Sequence, residues 1–138
     1  MNRPSLVTDN ITELLIKIIE FTENRQKILI GNVKSIHSLG FVPEDLAVDE
    51  FSSVLTYAVN EHTQSQRLVL YDTENIKFGV GGSFEAKPTV DEYAGEVLEA
   101  DKDEYLELQI SKLLENSLNQ RIAAEMLRQR QKTLLIFE

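Results

Sequence analysis

The chain is 138 residues long, carries a formal net charge of −9, and contains no cysteine and no tryptophan. That length makes one domain with one modest core. Without cysteine it forms no disulfide and no thiolate metal site, and its acidity argues against general nucleic-acid binding, which needs a basic face.

Residues 1–8 read as a loose arm. No apolar run follows Met1-Asn2-Arg3-Pro4-Ser5, so no cleavable secretory signal is expected. No stretch approaches the ~18 consecutive apolar residues of a membrane span.

A helix is predicted over 9–38, with Asn10 and Glu13 as its capping pair. Ile11, Leu15, Ile18, Thr22, Arg25, Leu29, Asn32 and Ile36 step by four and three, which is one stripe of a helix. Its polar members, Thr22, Arg25 and Asn32, are expected at a seam that fixes register. Gly40 and Pro43 end this helix.

The segment 39–100 reads as a small insertion. Phe51, Val54, Leu55, Ala58 and Val59 have helical spacing, with Asp49 as the cap and residues 60–66 as a polar loop. Leu68-Val69-Leu70-Tyr71 and the alternating Ile76, Phe78 and Val80 predict a hairpin around a turn at Asp72-Thr73-Glu74-Asn75. Gly81-Gly82-Ser83 reads as a hinge. Residues 84–100 read as mostly irregular, with 91–100 as a short-helix alternative.

A second long helix is predicted over 101–137, which has no Gly and no Pro. Asp101 with Glu104 matches a helix start. Acids come early (Asp103, Glu107) and bases late (Arg128, Lys132), as the helix dipole favours. The predicted buried stripe is Leu106, Ile110, Leu113, Ser117, Gln120, Ala124, Leu127, Gln131 and Leu134, widened by Leu114, Leu118, Ile122 and Met126. Such a helix would span roughly 55 Å and overhang a compact domain about 37 Å across. The fold class is therefore mainly α. The N-terminal and C-terminal helices pair as a coiled-coil-like unit, and a middle insertion carries a short helix and a β-hairpin. Residues 1–138 form a single elongated unit.

Chemistry is sparse. His37 and His62 have no partner at metal-ligand spacing. Gly79-Val80-Gly81-Gly82 lacks the lysine and spacing of a phosphate loop. No serine sits in a nucleophile elbow. Residues 85–107 hold nine acids and two lysines, which reads as a solvated acidic stretch. No enzyme activity, cofactor or metal is expected.

Two segments carry a resemblance. The run from Arg25 to Phe41 resembles the signature of bacterial flagellar rod and hook proteins, roughly R-Q-x-x-[LI]-x-x-N-I-A-N-x-x-T-P-G-[YF]. Arg25, Gln26, Leu29, Asn32, Gly40 and Phe41 fit, and Val33 and Ser38 are close replacements. Lys34, Ser35 and Leu39 depart, where that family has Ala, Asn and Pro. At the other end, Asn116, Ser117, Leu118 and Gln120 resemble the A-x-N-S-L-x-Y-Q segment of the B-type proximal-rod subunits. The family's Gly-Asn-x-Val before the last helix is missing.

The resemblance implies a structural subunit, exported without a cleaved signal peptide and built into the basal-body rod in the periplasm. Its implied partners are the export apparatus and other rod and basal-body subunits. Terminal helices of such subunits are often unfolded in the free chain and pack together in the rod. Asn32, Gly40 and Phe41 are expected to set the turn after the first helix. Asn116 and Gln120 are expected to hydrogen-bond between helices, and Arg25 to meet an acid of a neighbour such as Glu115. The alternative is a soluble acidic helical adaptor or secretion chaperone.

Overall fold

The computed structural model describes residues 9–79 and 84–136, with side chains as far as Thr133. The predicted arm at 1–8 and the hinge at Gly81-Gly82-Ser83 lie outside the described residues. The elements are α1 (Asn10–Lys34), β1 (Glu44–Asp45), α2 (Val48–Ser65), β2 (Ile76–Phe78), β3 (Phe84–Ala86), β4 (Thr89–Val90), α3 (Glu92–Ala100) and α4 (Lys102–Ile136). The long terminal helices pack on each other, with the small middle against one side.

Helix α1 is capped one residue earlier than predicted, by Asp9 instead of Asn10, and it ends at Lys34, short of the predicted 38. Asp9 accepts from the Thr12 N–H at 2.8 Å. Asn10 instead reaches α2, meeting His62 Nδ1 at 3.1 Å and donating to Gln66 O at 3.2 Å. Those bonds help explain why α2 runs through Ser65, across the predicted polar loop. Ser65 Oγ donates back to Glu61 O, and Gln66 closes the helix in a left-handed conformation. Asp49 lies in the first turn of α2 but does not cap it; the N-cap is Ala47, without a side-chain bond.

The hairpin exists but is displaced along the chain. β2 pairs antiparallel with β3, Lys77 opposite Glu85. Residues 68–71 pair with nothing in a sheet, so that prediction is corrected. Glu50, in the first turn of α2, sets the start of β2 by accepting from Thr73 Oγ1, Asn75 Nδ2 and the Asn75 N–H. The alternation of Ile76 and Phe78 is real, because both side chains pack against the α1–α2 core. That core is Phe21, Leu46, Phe51 and Ile76. Phe21 and Phe51 stack with ring centroids 4.1 Å apart.

Residues 84–100 are ordered, contrary to the mostly irregular expectation. β4 pairs with β1, and Asp91 caps α3 by accepting from the Ala94 N–H. Asp101 ends α3 and begins α4. Its carboxylate accepts from the Asp103 and Glu104 N–H groups, as its predicted capping role requires.

Helix α4 has 35 residues, about 52 Å of length. It runs antiparallel to α1 from Tyr105, opposite Asn32, through Asn116, opposite Thr22, to Arg130, opposite Asp9. α1 thus lines α4 from Tyr105 to Arg130, and the predicted overhang remains in the turns beyond Arg130. The seam itself is shifted. Tyr105, Gln109, Asn116 and Ala123 are buried, each one residue before its counterpart in the predicted stripe. Apolar side chains are spread around α4, so their spacing does not mark the face that α1 covers.

The helix ends meet through an ion pair whose pH dependence follows from its sign. The Arg130 guanidinium donates to Asp9, and this holds the Asp9 carboxyl down at about 2 against burial. Its folded value lies below the unfolded value of 3.8. The stabilisation is therefore full above pH 3.8 and is lost as pH falls toward 2. Thermal melts by circular dichroism are expected to show a steady midpoint from pH 7 to 5 and a falling one between pH 4 and 2, as about these pKa values dictate. The D9N variant should show a shallower fall, and an equally steep one would exclude Asp9 as a contributor.

Candidate functional site

The site most distinctive of this chain is the polar seam between α1 and α4, with the turn that leaves α1. At its upper end Asn32 is buried. Its Nδ2 donates to Glu44 O at 2.8 Å and to Gln109 Oε1 at 3.0 Å, and its Oδ1 accepts from the Glu44 N–H at 3.2 Å. One side chain thus fastens α1 to β1 and to α4. Tyr105 Oη donates to Asn32 O at 3.1 Å. Burial, with help from the Asp91 charge, pushes the tyrosine up to about 12, so it remains a neutral donor.

At mid-seam Asn116 is buried. Its Nδ2 donates to Thr22 O at 2.8 Å and to Gln26 Oε1 at 3.2 Å. Asn116→Ala removes both bonds and is expected to cost about 1–3 kcal/mol. Thermal unfolding should register this as a fall of several degrees; an unchanged midpoint would mean that the seam is held by packing alone.

Beside the seam lies an ionic cluster that joins four elements. Arg25 Nε and Nη2 donate to the two oxygens of Asp45, at 2.8 and 3.0 Å. Lys112 Nζ donates to Asp45 Oδ2 at 2.9 Å and to Asp91 Oδ2 at 2.6 Å. The Leu46 N–H also donates to Asp45. Burial pushes the Asp45 carboxyl up, but the Arg25 and Lys112 bonds outweigh it and leave its pKa below the ordinary value. Burial likewise opposes the Lys112 charge, and its two aspartates more than offset this, raising its pKa. Arg25 thus pairs with Asp45 of its own chain.

The turn after α1 uses the predicted glycine. The Phe41 N–H donates to Ser38 O at 3.2 Å, and Gly40 has φ 75°. Among the described non-glycine residues only Gln66 has positive φ, so Leu39 does not. This is the pattern of a type II turn, which needs Gly at its third position and favours Pro at its second. Leu39 stands at that second position, fully exposed.

The structure brings Arg25, Gln26, Leu29, Asn32 and Asn116 to the helix pair, with Val33 half-buried beside them. Ser117 and Gln120 are half-buried on α4, where Gln120 makes no hydrogen bond to another helix among the described residues, and Leu118 points outward. Sequence reasoning missed Tyr105, Gln109, Lys112, Asp45 and Asp91. The first three precede Asn116 at intervals of four, three and four, a signal hidden because its members are mostly polar.

Two uncovered apolar features flank the seam. A groove of about 490 Å3 lies between α1, α2 and α4, walled by residues such as Leu15, Ile18, Leu55, Val59, Ile122 and Met126. On the outer side of α4, Ile110, Leu114 and Leu118 are 50–67% exposed. No group of His, Cys, Asp or Glu among the described residues could hold a metal ion, and no described helix is long and apolar enough to cross a membrane. Comparison of the chain with protein-family models, with curated proteins and with solved structures finds no match.

Proposed function

We propose that this chain is a structural subunit of the proximal rod of the bacterial flagellar basal body. It would be exported without a cleaved signal and assembled by helix packing with neighbouring rod subunits. The observation that carries the reading is the Asn116–Gln26 hydrogen bond. It joins the two segments that resemble the rod family, 90 positions apart in sequence. The turn at Ser38–Phe41 adds support, because its backbone suits the Pro-Gly of the family signature even though Leu39 replaces the proline. A helical hairpin with an apolar outer ridge is a surface that neighbouring helices can cover.

The test is localisation. An epitope-tagged chain, expressed at native level, should co-purify with detergent-extracted basal bodies and be detected there by mass spectrometry. Recovery only from the soluble cytoplasmic fraction would overturn the proposal. That outcome would favour the second reading, an acidic helical adaptor or secretion chaperone, for which the groove between α1, α2 and α4 offers a place for a partner helix.

A further inference from the structure

One stretch of the middle has a backbone that no described residue pairs with. Residues 67–73 contain no helix, turn or bend, and none has a positive φ, so this run is extended. Within it Leu68-Val69-Leu70-Tyr71 has the composition of a strand. No backbone N–H or C=O of these four residues is hydrogen-bonded to another described residue. Tyr71 meets Tyr57 of α2, with ring centroids 5.6 Å apart, which holds the run against that helix. The run begins at Gln66, whose carbonyl accepts from Asn10 Nδ2 at 3.2 Å. The chain therefore enters α1 beside the start of the unpaired run. Asp9, just before, is itself extended, with φ −102° and ψ 177°, and Arg130 holds its carboxylate.

We infer that residues 5–8 form a strand on this edge, antiparallel to Leu68–Tyr71. Continued from the Asn10–Gln66 contact, the ladder sets Thr8 opposite Leu68, Val7 opposite Val69, Leu6 opposite Leu70 and Ser5 opposite Tyr71. Leu6 with Leu70 on one face and Val7 with Val69 on the other are apolar cross-strand pairs, which stabilise a sheet. Pro4 has no N–H and ends the ladder. These residues are tethered at the start of the run, so they meet it at a high effective concentration that a foreign strand lacks. A paired edge is also closed to strands of other chains.

The chain has no native cysteine, so introduced pairs report on register without interference. Under mild oxidation of the full chain, V7C/V69C or L6C/L70C should close an intrachain disulfide, whichever pair occupies the closer, non-hydrogen-bonded position. V7C/L70C sets its thiols on opposite faces and should not close. Hydrogen exchange followed by NMR should show two alternate amides among 68–71 slowed about tenfold or more relative to the other two. The alternation arises because only every second N–H faces the partner strand. L6P/V7P removes two donors of residues 5–8 and should abolish the alternation, while amides of α1 and α4 keep their rates.

Uniformly fast exchange at 68–71 in the unaltered chain would overturn the inference. Alternation that survives L6P/V7P would also overturn it and give the edge to a different strand. Disulfides that form only between copies would overturn it in favour of a second copy. None of these results touches the localisation test, and absence from basal bodies leaves the ladder standing.

Discussion

Replacement of Asp45 by alanine is expected to lower the unfolding free energy by about 3–5 kcal/mol. The reason is what remains behind. Arg25 and Lys112 are 7% and 22% exposed at their side chains, and each loses a carboxylate partner in place. An exposed ion pair would cost only about 0–1 kcal/mol, so the size of the loss tells whether the cluster is buried in solution. The Leu46 N–H loses its acceptor as well. A control separates the cost of an orphaned charge from the worth of the pair. R25M/D45L removes both partners and should cost much less than D45A, because a buried pair replaced by apolar groups is close to neutral. Urea melts of the two variants measure the difference. Equal losses would show that Arg25 finds other solvation when Asp45 is gone.

The second large effect is at Phe51. Phe51→Ala is expected to cost about 3–5 kcal/mol, as for other buried aromatic truncations. Phe51 stacks flat on Phe21 of α1 and tilts against Phe84 of β3, with centroids 4.1 and 5.8 Å apart. It thus joins three elements from different parts of the sequence. Its loss should destabilise α1 as well as the hairpin, because Phe21 loses its stacking partner. Hydrogen exchange on F51A should show faster exchange in both Ile76–Phe78 and the middle of α1. Acceleration confined to the hairpin would mean that the long helix pair folds without the middle.

The long helices were legible because their signals are strong and local. Asp101 with Glu104 and a stretch free of Gly and Pro mark a start and a length that α4 keeps, whereas α1 ends at Lys34, short of the predicted end at 38. The stripe on α1 was legible in detail: Leu15, Thr22, Arg25, Leu29 and Asn32 are all buried. On α4 the same reasoning chose a face one residue off. Hydrophobic spacing locates a buried face only when burial is apolar. Here the covered face carries Gln109, Lys112 and Asn116, each hydrogen-bonded to another element, while Leu114 and Leu118 stay exposed. The register of that face depends on Thr22, Gln26, Asn32, Asp45 and Asp91, partners that no local pattern on α4 reveals.

The middle was less legible for a related reason. Residues 60–66 are polar, and their helix is held by Asn10 bonding to His62 and Gln66, a contact 52 to 56 positions distant. Leu68–Tyr71 has the composition of a strand, but Glu50 fastens the turn so that Ile76 and Phe78 pair with Phe84 and Ala86 instead. The ionic cluster combines residues from α1, β1, the start of α3 and α4. Each of its members alone reads as an ordinary surface charge.

The place in the flagellar rod proposed for this chain is tested most directly by deletion of its gene in the host. Electron microscopy of basal bodies from the deletion strain should show rings without a completed rod, and the cells should be non-motile. The wild-type gene in trans should restore both. Complete rods and motile cells in the deletion strain would contradict the account.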